Sequence, residues 1–414
     1  MEGVRNVAEK LSGKLIFRTV SEGQEMQYAW AFLADVHNRM PERRRGAVLF
    51  ERRTSKLEGS HASLRVALLE KNICAALRIR HATFRLGDAR LSVAHISDLC
   101  SRPDFRRRGI PAHLIQDTLA SLARERFALA VLHGIRDFAP RFGFVPLYTE
   151  SAYTLPVPDS FRAEADSFRI RALLPSDIPC LMRMRAMSDA NLDGTFVRCS
   201  YTFTERWNAI GKGRVLLDKD GSRVGYYFYH SEGGNWWIHE LGAITPLLEE
   251  QVINAALQDA YAAGIRHVSF SLPPQQPAAS YLETLGAGHT TSPHRGISIS
   301  ARVLDVETAM AQCVPEWERL IEKTGTTHNN TAVTFHVSGT SYTLRFAENR
   351  VEVLPSAVRE KVSLSMDEFT ALLLGGMSAE EFLERKHLFL RSESRRALLQ
   401  IFPSRTLFTW HLDL

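Results

Sequence analysis

Arg106-Arg107-Arg108-Gly109 is the stretch whose residue types most directly imply chemistry. Three guanidinium groups and a glycine stand immediately before a helical pattern opened by Pro111. A proline fits a first helical turn, whose amides have no internal partner anyway. Those free amides, the positive end of the helix dipole and the arginines together favour a phosphate or another anion. Upstream, Val93, His95, Ser97 and Leu99 alternate with Ala94, Ile96 and Asp98, as in a strand. Ser101-Arg102-Pro103-Asp104 stops that strand, since proline cannot continue a ladder. Downstream, Ile115, Leu119 and Leu122 fall at i, i+4, i+7 between residues 112 and 124, one buried helical stripe. The predicted unit is strand, glycine turn, helix: an anion cradle.

Other reactive types lie close by. His95 and Asp98 are candidate water-linked bases, and Cys100 a candidate nucleophile; each also fits a purely structural role. The chain has 414 residues, which suggests two or three domains, and its 45% hydrophobic fraction is enough for packed cores. A formal charge of only +5 argues against a nucleic-acid binder. Cys74, Cys100, Cys180, Cys199 and Cys313 are odd in number, and no two share metal-ligand spacing. That pattern predicts free thiols in a reducing, cytoplasmic compartment and no metal. The first residues lack an apolar signal segment, and no run reaches the length of a membrane span.

The order of elements predicts an α+β fold with mixed α/β sheets in three parts. The first, residues 1–158, carries a helix over Ser21–Asn38, a hairpin, the cradle, and a buried strand over Phe127–Leu132. Phe142-Gly143-Phe144 closes it, ahead of a Pro-rich joint at 155–158. The second, 159–303, repeats this order: a hairpin turning at Asp220-Gly221, the strand Trp236–Leu241, a helix over Leu248–Ala263, and the strand His267–Leu272. Between Leu241 and Leu248 it has no arginine cradle. The third, 304–414, is a meander of short strands followed by helices. Ser365 with Glu368 and Ser378 with Glu381 form two capping boxes there. After Pro403 the sequence alternates as a strand up to Leu414.

The cradle resembles the acetyl-CoA site of the GNAT acetyltransferase superfamily, whose turn reads Arg/Gln-x-x-Gly-x-Gly/Ala. Here Arg106 to Pro111 occupies it, with proline in the sixth place. Residues 139–144 resemble the second signature of that superfamily, Tyr-x-x-Phe-Gly-Phe, with Ala139 at the tyrosine position. Two GNAT-like folds, the second a degenerate copy without CoA, precede a part that looks like a sterol-carrier-protein-like domain. That order resembles the enhanced-intracellular-survival family of N-acetyltransferases.

The resemblance implies transfer of an acetyl group from acetyl-CoA to an amine, whether an aminoglycoside, a polyamine or a lysine side chain. It also implies a homo-oligomer. The backbone of Leu99, Cys100 and Ser101 would hold the acetyl and pantetheine arm. Arg106, Arg107, Arg108, Gly109, Ile110, Pro111 and Ala112 would hold the pyrophosphate, and the terminal carboxylate of Leu414 would act as base. The alternative is a catalytically impaired CoA- or lipid-binding scaffold. Ala139 stands where the family's general acid stands.

Overall fold

The computed structural model describes residues 14–20, 22–38, 62–134, 137–157, 168–198, 203–204, 212–293, 298–325, 328–348, 350–355 and 361–410. The chain forms two compact units, residues 1–147 with 296–406 and residues 148–295 with 407–414.

The first unit begins with β1 (Leu15–Val20), α1 (Gly23–Asn38), β2 (Ala62–Leu69), β3 (Asn72–Leu86) and β4 (Ala89–Ser101). Then follow α2 (Ile110–Arg124), β5 (Leu129–Gly134) and the short β6 (Val145–Pro146). Strands β1 to β4 are antiparallel neighbours, and β5 joins β4 in parallel. The second unit contains β7 (Thr149–Pro156), β8 (Arg169–Ala172), α3 (Ile178–Ser188), β9 (Gly213–Leu217), β10 (Arg223–Glu232) and β11 (Asn235–Ala243). It closes with α4 (Pro246–Ala262), β12 (His267–Ser271), α5 (Pro277–Thr284) and β13 (Gly288–Pro293). Its sheet runs β13-β7-β12-β11-β10-β9-β8.

The chain then returns to the first unit as β14 (Ser298–Val303), which enters the first sheet between β5 and β6. Residues 149–156, expected in the first domain, thus pair in the second unit's sheet, and 298–303, expected in the second, pair in the first. Each strand still fits its place by alternation. Ile299, Ala301 and Val303 are all buried, so β14 supplies the apolar face that the first sheet lacks beyond β5. The remainder is α6 (Val306–Thr324), β15 (His328–Val337), β16 (Thr340–Glu348), β17 (Arg350–Leu354), β18 (Lys361–Leu364), α7 (Met366–Leu373), α8 (Ala379–Arg385) and α9 (Ser392–Ile401). Strands β15 to β18 form a separate four-stranded sheet, β17-β16-β15-β18.

Helices α1 and α2 cover opposite faces of the first sheet. Ala29, Trp30, Leu33 and Val36 of α1 pack with Leu64, Val66, Ala76 and Cys100. Ile110, Leu114, Ile115, Leu119 and Leu122 of α2 pack with Ala75, Leu77, Ile79, Ala94 and Ile96. Each fully buried aliphatic of that stripe contributes about 2 kcal/mol. Both expected capping boxes are present. Ser365 Oγ accepts from Glu368 N and Ser378 Oγ from Glu381 N, while each glutamate accepts from its serine's amide. The core above the small sheet is aromatic: Trp317, Phe335, Phe346 and Phe369 are all within 2% of full burial. Residues 404–410 form no strand, and the expected terminal strand beyond Trp410 lies outside the described residues.

In the second unit a buried carboxylate ties β8 to β10. Asp177 accepts from Arg171 Nη1 (2.7 Å) and Nη2 (2.8 Å), from Arg223 Nε (2.5 Å) and from Leu174 N (2.8 Å). Burial alone would raise its pKa, but the two guanidinium groups and the amide outweigh that and hold it well below the ordinary carboxylate range. A depressed folded pKa adds stability above the unfolded value of about 3.9 and loses it as pH falls below that. Asp177→Asn is therefore expected to cost about 2 kcal/mol at pH 7. Urea titrations at pH 7 and pH 3 should show the gap from wild type shrinking at the lower pH.

Candidate functional site

Strand β4 departs from its neighbour partway along. Its parallel pairing with β5 starts at Val93↔Leu129 and ends at Ile96↔Leu132, yet β4 runs on to Ser101. The antiparallel pairing with β3 continues but slips by one residue, from Arg78↔Ser97 to Ala76↔Cys100. That slip is a β-bulge. Asp98 sits in it at φ 56, a left-handed conformation uncommon for a residue other than glycine. The side chains hold it. Arg78 Nε lies 2.8 Å from Asp98 Oδ2 and 3.1 Å from Ser97 Oγ, and Ser97 Oγ donates to Asp98 Oδ2 at 3.0 Å.

The bulge corrects the simple alternation. Leu99 packs with the cluster of Ala94 and Ile96, not with the face of Val93 and His95. From Ser97 to Ser101 one edge of β4 carries no strand among the described residues.

The turn follows directly. Arg102 N donates to Cys74 O (3.0 Å), fixing the strand end, and Pro103–Phe105 makes a single 3-10 turn. Gly109 caps α2 at φ 75, which a glycine adopts without steric cost. Its carbonyl accepts from Ala112 N (3.0 Å), His113 N (3.2 Å) and His113 Nδ1 (2.9 Å). Among the described residues, the amides of Arg107, Arg108, Gly109 and Ile110 have no such backbone bond. Pro111 follows them and brings no N–H to the cradle. Arg106, Arg107 and Arg108 are exposed, with Arg108 reaching over the Phe105 ring at 5.5 Å. Free amides, a helix N-terminus and three exposed guanidinium groups fit a pyrophosphate. The residues expected for cofactor binding run from the open edge of β4 (Leu99, Cys100, Ser101) through the turn (Arg106 to Gly109) into the first turn of α2 (Ile110, Pro111, Ala112). Leu414 lies outside the described residues.

The other candidates resolve into structural roles. Asp98 is committed to Arg78, and buried His95 bonds Arg80 Nη2 through Nδ1 (3.1 Å) and stacks on His133. Cys100 is buried in the α1 cluster. Cys74 Sγ lies 3.1 Å from Ala67 O, and burial pushes its thiol up to about 11, so it is not a thiolate at neutral pH. Ala139 opens a short 3-10 turn and is 1% exposed. Arg302 Nη1 of β14 donates to Phe142 O (2.5 Å), so the turn over residues 139–142 is tied down by a strand some 160 residues further along the chain. No local sequence pattern announces that pairing. Tyr148 and Tyr153 belong to the second unit, where Tyr148 donates to Gly194 O (2.5 Å) and Tyr153 stacks on His289.

The second unit repeats the geometry without the cradle. β11 pairs with β12 only as far as Ile238↔Phe270, and its pairing with β10 slips at His239. Beyond the slip, its own side chains fill the space. Glu240 is fully buried, and its Oε1 accepts from Tyr226 Oη (2.6 Å) and Arg198 Nη1 (3.0 Å). Arg185 Nη1 donates to Leu241 O (3.2 Å). A Cβ at Gly242 would lie 2.7 Å from the Tyr226 ring. No arginine precedes α4 in this turn.

Residues 17–147 match the family model described as an acetyltransferase (GNAT) domain. A search of curated proteins returns no match. Among solved structures, the fold is shared with a probable N-acyltransferase of Enterococcus faecalis at TM-score 0.71 and 16% identity, covering 96% of this chain and 99% of that one. A GCN5-related N-acetyltransferase of Anabaena variabilis gives 0.70 and 14%, over 95% and 99%. Eis1 of Mycobacterium abscessus gives 0.63 and 16%, over 96% and 99%. At these identities the likeness is one of fold, and it extends over nearly the whole chain.

Gly109→Glu places a strained, negatively charged residue at the cradle. Calorimetry should show one CoA per wild-type chain and at least tenfold weaker binding in this variant. Two sites per chain, or unchanged affinity, would remove the cradle from consideration.

Proposed function

We propose that this protein is an N-acetyltransferase that moves an acetyl group from acetyl-CoA to an amine by direct transfer. One observation carries the reading: the bulged, splayed β4 runs straight into a glycine turn with free amides and exposed arginines. The open edge at Leu99, Cys100 and Ser101 would receive the extended pantetheine arm, as a sheet edge receives an added strand. Arg106 to Ala112 would take the pyrophosphate. Acetyl-CoA supplies an activated acyl thioester. The chain has to place an amine, remove its proton and polarise the carbonyl. Among acceptors, an aminoglycoside, a polyamine or a lysine side chain meets that description.

Leu414 is the proposed proton acceptor through its terminal carboxylate, which with a pKa of about 3.5 is ionised at neutral pH. The chain leading to it is well anchored. Leu407, Phe408, Thr409 and Trp410 are buried. Phe408 N donates to Asp193 O (2.9 Å), Trp410 Nε1 donates to Asp189 (3.0 Å), and the Arg185 guanidinium lies 3.9 Å over the indole. The second unit, whose equivalent turn is filled by Tyr226 and Glu240, is read as a copy without CoA. The small sheet with α6 to α9 is read as sterol-carrier-like, with a packed core.

A second reading, a CoA- or lipid-binding scaffold without turnover, is favoured by Ala139. A buried methyl group there leaves no phenol to protonate the leaving thiolate. Against it, a thiol with a pKa of about 8.5 leaves as thiolate unaided.

A thiol-release assay over a panel of amines distinguishes the two readings. Turnover with at least one amine is expected. It should persist in Cys100→Ala and fall about 100-fold, with CoA affinity intact, when residues 412–414 are deleted or glycines are appended after Leu414. Full activity in the glycine-extended chain would end the role of the carboxylate.

A further inference from the structure

Between α8 and α9 the chain presents Leu388-Phe389-Leu390 in an irregular loop. Phe389 is 98% exposed, more than any other large hydrophobic residue among those described. The loop is held in this pose by the end of α8. His387 at φ 51 donates its amide to Glu384 O (3.1 Å), and Leu388 N donates to Leu383 O (3.0 Å). Behind the tip lies an open groove of about 610 Å³, lined by Leu383, Leu388, Phe389 and Leu390 together with Glu384, His387 and Arg395.

The surroundings are cationic. Arg385, Lys386 and His387 precede the tip, and Arg391, Arg395 and Arg396 follow it, all exposed. From 384 to 396 there are five lysines and arginines against two glutamates, a net charge of +3. Lys386 pairs with Glu368 at 2.5 Å, and Arg395 lies 3.8 Å from Glu380.

We propose that this loop docks the protein on an anionic phospholipid surface, with Phe389 inserted and the arginines at phosphate level. An aromatic tip flanked along the chain by lysine and arginines matches an interface that is apolar below and negative above. Self-association through the same patch would bring two clusters of like charge together, so charge complementarity favours the lipid. The groove beside Phe389, whose floor is made by Leu383, Leu388 and Leu390, offers a place for an acyl chain. The inference is independent of acetyl transfer.

The test is sedimentation of the full chain with vesicles. Binding is expected to vesicles of phosphatidylcholine carrying about 30% phosphatidylglycerol and to be at least tenfold weaker to phosphatidylcholine alone. Raising salt from about 0.05 to 0.5 M should weaken it severalfold. Phe389→Ser should lose about tenfold or more in partitioning, and Arg385→Gln with Arg396→Gln about tenfold together. Melting temperature and CoA affinity should not move in either variant. Absence of binding to anionic vesicles, or equal binding by Phe389→Ser, overturns the proposal. So does light scattering that shows a wild-type assembly dissolved by Phe389→Ser, which would give the tip to a second copy.

Discussion

The bulge at Asp98 is the constraint on which the candidate site depends. A strand that kept pace with β3 would continue alongside β5 and close the sheet. One extra residue turns β4 away after Ile96, so its last five residues keep one partner and expose the other edge. A left-handed aspartate costs of order 1 kcal/mol or more. Arg78 offsets that cost from the opposite strand by gripping both Ser97 and Asp98. The same bulge aims the chain at the turn, where Gly109 takes the left-handed conformation and α2 begins with its amides free. The form of the turn thus follows from a register slip a dozen residues upstream as much as from the arginines.

The second unit shows what happens when the frame is kept and the charges are reassigned. Its strand β11 slips at His239 and leaves β12 in the same way. Where the first unit has an open edge and exposed arginines, the second has a carboxylate, Glu240, buried between Tyr226 and Arg198. Arg185 answers the Leu241 carbonyl and also stacks on Trp410. The guanidinium groups here are spent on holding the chain's own backbone and tail, and Tyr226 lies over Gly242. One backbone geometry therefore supports two outcomes, decided by whether arginine faces solvent or a buried acid.

Much of this was legible in the sequence, in proportion to how local the cause is. The α2 stripe, Pro111 at the helix start, Gly109 as the turn residue and the two Ser-x-x-Glu capping boxes are interactions within one turn of chain, and each stands where the pattern places it. The repeated order of hairpin, strand, helix and strand likewise announced a second, similar fold. The absence of arginine between Leu241 and Leu248 is likewise carried by the sequence alone.

The tertiary structure alone decided the rest. Alternation gives Leu99 to the face of Val93, but a register slip depends on the partner strand and reverses it. Thr149–Pro156 and Ser298–Val303 have strand patterns that suit either sheet, so which sheet each joins rests on which edge remains open once both units are packed. His95, Asp98 and Cys100 carry reactive groups whose roles follow from neighbours distant in sequence: Arg80, Arg78 and the α1 cluster. Phe389 is one apolar residue among many in the sequence. Only the cap that ends α8 turns it outward, because the sequence names a side chain and the packing of the whole chain determines what that side chain meets.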